Sequence, residues 1–166
     1  MKTTTPLRIA SLFTMAMALS SSGQAQTLSQ ARLAGEIDAY TALADPAGPW
    51  HVTGEWTLIL KGDSGKGDFF GALGMVRSQN PAPAAHTHHV TIIDGDVTPL
   101  ANGFQISGTA VITSNGNVAG FSGSPVDFQI TGGNGLRYSN ASVTFAGAAA
   151  SHFGELPIHG VVTSRR

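Results

Sequence analysis

Three of the chain's six histidines fall within four positions, in the stretch Ala85-His86-Thr87-His88-His89-Val90-Thr91-Ile92-Ile93-Asp94. The residues that follow them are β-branched and apolar, which sets the histidines at the mouth of a strand. Strand alternation sends His86 and His88 to one face and His89 to the other. Two neutral imidazoles on one face can share a zinc, copper or iron ion. A second compact stretch, Ser151 to Gly160, carries His152 and His159 with Glu155 between them. Adding one of these histidines to His86 and His88 makes a three-imidazole set with an open position, the arrangement of a catalytic zinc or copper centre. His159 is the expected third ligand and His152 its substitute. Glu155 and Asp94 are the carboxylates close to these histidines in sequence, and are the expected proton carriers or fourth ligand. His51 stands alone beside Trp50 and reads as a surface residue.

Two other classes of function use the same residues differently. In a metal-free extracellular barrel or sandwich that binds a small apolar molecule or a carbohydrate, the histidines are polar contacts at the rim. In a surface interaction module they are ordinary solvent-facing or hydrogen-bonded groups. Convergence of the histidines in space separates the metal site from both. The His-x-His of His86-Thr87-His88 occurs in cupins and in copper–zinc superoxide dismutases. The glutamate and second motif of the cupins do not follow, and the paired cysteines of the dismutases are absent, so the chain is assigned to neither.

Composition narrows the setting. Lys2 and Arg8 precede an uncharged apolar run, Ile9 to Leu19, and small residues then lead to a cleavage site after Ala25. That is the pattern of a secretory signal over residues 1–25, and the run is too short to span a membrane. The expected location is secreted or periplasmic. Losing Lys2 and Arg8 from the nine basic residues leaves seven against ten acidic ones, a net charge near −3. Without clustered Lys or Arg, nucleic acid is not an expected partner. The chain has no cysteine, which removes thiolate ligands, thiol catalysis and disulfides. No Gly-x-Ser-x-Gly elbow is present.

The elements that must position the histidines are strands. Residues 26–49 form the exception, reading as a short N-terminal helix and a Pro/Gly linker. Ser29 is the expected N-cap, Leu33, Ile37, Tyr40 and Ala44 recur at helical spacing, and Asp45-Pro46-Ala47-Gly48-Pro49 ends the run. From Trp50 to Arg166 the texture is short alternating runs separated by turn residues, which predicts a single antiparallel domain. Trp56, Leu58 and Leu60 share one face of the first run. Gly62 to Gly67 reads as a hairpin turn, because it lacks the strand-to-helix context of a phosphate loop. Asp94-Gly95-Asp96 and Ser114-Asn115-Gly116-Asn117 are further turn signals. The expected fold is all-β, an antiparallel sandwich or small barrel of about seven to eight strands. Its expected core is Trp56, Leu58, Phe70, Ile92, Phe104, Ile106, Phe128, Ile130 and Phe145.

Overall fold

Residues 30–41, 49–77, 84–132 and 139–166 are described by the computed structural model. The expected leader (1–25), the expected N-cap Ser29, the segment 42–48 with Ala44, and the connection at 78–83 lie outside the described residues.

Alternation builds the wall. Ten strands follow one another: β1 Ala31–Tyr40, β2 His51–Leu60, β3 Lys66–Arg77, β4 Ala84–Leu100, β5 Gly103–Thr109, β6 Val111–Ser114, β7 Asn117–Val118, β8 Pro125–Thr131, β9 Asn140–Phe145 and β10 Ile158–Arg165. Eight of them hydrogen-bond in the order β3-β2-β1-β10-β9-β8-β5-β4, and β4 pairs back onto β3. The sheet therefore closes into an eight-stranded antiparallel barrel, which leaves no free edge in the ring. Strand β4 is long enough to take two partners on one side: β5 along Asp96–Leu100 and β6 along His88–Thr91. The short β6–β7 hairpin is thereby held against the histidine end of β4.

Every second side chain points inward, and the interior is solid. Trp56, Phe69, Phe128, Leu58, Ile92 and Ile106 are each 2 % exposed or less. The rings of Phe69 and Phe128 lie 4.4 Å apart and those of Trp56 and Phe128 4.8 Å apart. One end of the barrel is closed by a short helical segment between β9 and β10. It consists of a 3₁₀ turn, Gly147–Ala149, and α1, Ala150–Phe153. Phe153 is buried there and stacks on Phe145 at 3.9 Å.

Three expectations need correction. The N-terminal segment is not helical: residues 31–40 form β1, with Ala31, Leu33 and Ile37 buried and Arg32, Glu36 and Asp38 exposed. Leu33 and Ile37, four apart, share a face in either conformation, and Gly35 between them hides the period of two. Pairing with β2 and β10 decides the outcome. The only helix among the described residues is α1, near the other end of the chain. Next, Asp94-Gly95 does not turn the chain. Asp94 has φ +54° and sits inside β4, where the β3–β4 register slips between Gly67 and Phe69. An Asp-Gly pair supplies the unusual backbone that a bulge needs as readily as the one a hairpin needs. Finally, Phe69, at 1 % exposure, is the core residue, whereas Phe70, at 38 %, faces outward. Two adjacent phenylalanines cannot set the phase of a strand by themselves.

Candidate metal centre

Two elements bring the imidazoles together. His86 and His88 are inward residues of β4, opposite Met75 and Leu73 of β3 in the ladder. His152 comes from α1, which lies across the same end of the barrel. Its Nε2 stands 3.1 Å from Nε2 of His86 and 3.0 Å from Nε2 of His88. The ligand atoms of all three lie within 4.8 Å of one another.

Local structure aims each ring. His88 Nδ1–H donates to the Thr113 carbonyl of β6 at 3.0 Å, which leaves the lone pair on Nε2 facing the cluster. Thr87, between the two β4 histidines, is clamped by the β6–β7 turn. Its N–H donates to Asn115 Oδ1 at 3.1 Å, and the Asn115 N–H donates to the Thr87 carbonyl at 2.9 Å. Asn115 holds φ +48°, a conformation that Asn accepts better than most residues. Asn115→Ala should therefore lower the free energy of unfolding by about 1–2 kcal/mol, from backbone strain and the lost bond. Asn115→Gly should recover the backbone part alone, a difference that urea titration reads directly.

An aromatic ring backs each imidazole. Trp50 meets His86 edge-on at 4.8 Å, Phe153 packs against His88 at 4.8 Å, and Phe121 stacks on His152 at 4.8 Å. Trp50 is held at the rim by two bonds to Thr41, its N–H to Oγ1 and its carbonyl from the Thr41 N–H, both 2.9 Å. These walls leave His88 only 1 % exposed. Burial is the main cause that pushes its pKa down to about 4, with the nearby imidazoles lowering it further against the opposing Thr113 bond. Burial lowers His86 as well. Both are thus held neutral, the form that binds metal.

Proton counting shows why the cluster suits a cation. The His88 Nε2 carries a lone pair, so a hydrogen bond to His152 needs the proton on His152 Nε2. That nitrogen then has no lone pair with which to accept from His86, and one hydrogen must serve two contacts. A metal ion resolves this, since it takes one lone pair from each Nε2. Nitrogens around a tetrahedral ion at about 2.05 Å stand about 3.3 Å apart, close to the 3.1 and 3.0 Å that separate His152 Nε2 from those of His86 and His88.

The other residues singled out in the sequence are placed elsewhere. His159 is exposed on β10, opposite Ser142, because Ile158 takes the inward position. His159→Ala should leave metal stoichiometry unchanged, as measured by elemental analysis. Glu155 is exposed just beyond α1. Asp94 lies toward the opposite end of β4, where Lys61 Nζ bridges Asp94 at 2.5 Å and Asp68 at 2.7 Å. His51 joins Asp38 at 2.6 Å and stacks on Tyr40 at 4.7 Å. His89 points outward, away from the cluster.

His89 instead borders a groove of about 390 Å³ on the outer wall, with Glu36, Glu55, Phe70, Ala72 and Thr163. Behind it, inward positions run Gly35–Trp56–Gly71 across three strands in register. A Cβ on Gly35 would lie 1.9 Å from the Val161 carbonyl oxygen and 2.5 Å from the Trp56 ring, so only glycine lets these backbones and the indole approach so closely. Glu36 and Glu55 face each other across β1 and β2. The helical reading of residues 26–45 concealed that pairing. Nothing in the local sequence marks Trp50, Phe121 and Thr113 for this site, because their roles depend on long-range pairing.

Comparison with protein-family models, curated proteins and solved structures finds no match to this chain.

Proposed function

We propose that this chain is an exported transition-metal-binding β-barrel, with the ion held by Nε2 of His86, His88 and His152. The observation that carries the reading is the meeting of three imidazole nitrogens, backed by aromatic rings, at one end of the barrel. Two ligands on a rigid strand and a third on the segment that closes the barrel couple metal binding to closure of that end. If water completes the coordination, Glu155, three residues after His152, is the carboxylate best placed in sequence to exchange its proton. Asp94 is engaged by Lys61. Export, to the periplasm or beyond the cell, rests on the leader pattern. No helix among the described residues is long and apolar enough to cross a membrane.

Purified without a histidine tag and reconstituted at neutral pH, the protein should take up one equivalent of metal and melt at a higher temperature. Absence of both effects would sink the metal reading. A metal-free ligand-binding barrel is the second reading. The outer groove favours it, because its volume falls in the range of small-molecule and sugar sites and its lining pairs carboxylates with an exposed ring. Glu55→Gln should weaken such a ligand without touching metal uptake, as calorimetric titration would show.

A further inference from the structure

The chemistry of the donors and walls bears on which ion the centre takes. Among the described residues the metal-binding group contains three histidines and no carboxylate. Neutral imidazoles bring no charge to offset that of an ion, and on the side of the buried His88 the aromatic walls limit the water that would otherwise do so. The cost of placing an ion in such surroundings grows with the square of its charge, so a monovalent ion is penalised by about a quarter as much as a divalent one.

A fourth group points the same way. Met75 is fully buried and lies directly across the β3–β4 ladder from His86, facing the same interior. Residues paired in this way have Cβ atoms about 4.5–5.5 Å apart, within reach of a long, flexible thioether. Thioether sulfur is a soft donor that favours Cu⁺ over Zn²⁺. Leu73, opposite His88, offers no donor, so Met75 carries the one thioether that the ladder sets opposite these two histidines. Trp50 adds a further shield: its ring packs against His86 and carries the Arg77 guanidinium 4.9 Å from its centroid.

We propose that the ion of this centre is Cu⁺, held by the three imidazole nitrogens of His86, His88 and His152 with the Met75 thioether as an added soft donor. The proposal rests on the metal-binding reading and narrows it to one ion. Binding alone is involved, without change of oxidation state. A site of this kind suits holding or carrying copper in an exported protein, since its donors are soft or borderline and uncharged.

The test is a pair of competition titrations on the untagged protein under anaerobic, reducing conditions, Cu⁺ against bicinchoninate and Zn²⁺ against a zinc chelator. Met75→Leu is the informative variant because the exchange nearly conserves volume and leaves the barrel folded. The expected result is tighter retention of Cu⁺ than of Zn²⁺. Met75→Leu should weaken Cu⁺ by about tenfold or more and Zn²⁺ by less than about twofold. X-ray absorption of the Cu⁺ form should show a sulfur neighbour that Met75→Leu removes. One-to-one, His88-dependent binding of Zn²⁺ with Cu⁺ held no more tightly overturns the copper assignment and leaves the metal centre standing. So does a Met75→Leu protein with unchanged Cu⁺ affinity and spectrum, or with equal losses for both ions. Failure of both ions to bind in a His88-dependent way overturns the centre itself.

Discussion

Replacing His88 with alanine is expected to abolish one-to-one metal binding and, with it, the stabilisation that metal gives the unmutated protein. His88 is the most buried of the three imidazoles, and its Nδ1–H bond to Thr113 leaves its Nε2 lone pair committed to the cluster. At free metal a thousandfold above the dissociation constant, selective binding to the folded state is worth about 4 kcal/mol. For a domain of this size that is a rise in melting temperature of roughly 10 °C or more. The His88→Ala protein should show none of it. His51→Ala should keep the full shift, because His51 makes its contacts with Asp38 and Tyr40 and not with the cluster. A scanning calorimetry trace of each protein with and without metal decides the matter. A metal-dependent shift that survives His88→Ala would move the site elsewhere.

Acid should destabilise the metal-free barrel before its carboxylates titrate. An unfolded chain takes a proton on His88 near pH 6.5, whereas the folded barrel resists until about pH 4. Between these values the unfolded state binds more protons than the folded one, so stability falls as the pH falls. Above pH 6.5 both states are neutral at this position and the contribution is flat. By pH 4 the accumulated loss is about 3 kcal/mol. His88→Phe should remove this part of the slope, which urea titrations from pH 7 to pH 4 would reveal. An identical slope in the variant would show that His88 does not report the acid sensitivity.

Much of the cluster was legible because strand alternation is a local property. The spacing of His86 and His88 alone puts them on one face, and His89 on the other. The choice between His152 and His159 was not local. Both sit in one short stretch, and a shift from α1 to β10 between them decides which faces inward. The all-β class followed from turn chemistry and alternation. Barrel closure did not, because it depends on β1 near the start of the described chain pairing with β10 at its end. Strand β1 is not legible locally: Leu33 and Ile37 satisfy both periods, and partners elsewhere in the chain choose between them. Phe69 and Phe70 show the same limit on a smaller scale. Met75, Phe121 and Trp50 could not be tied to the histidines from spacing, since pairing and packing across the barrel bring them there.

The seam between β1 and β10 governs when this molecule can become itself. Arg32 and Arg166 exchange two backbone hydrogen bonds of 2.8 Å there, and Leu33 lies opposite Arg165. About 120 residues separate the two strands, so closing the ring carries a loop-entropy cost that no local hairpin shares. A chain emerging from its N-terminus can assemble β1 to β4 as successive hairpins, yet β1 keeps an open edge until the last strand arrives. Throughout that interval it is a template for pairing with another copy. His152 lies just ahead of β10, so the third imidazole arrives together with the strand that seals the wall. A nascent barrel thus presents only the two histidines of β4, and the three-imidazole cluster is complete only as the ring closes.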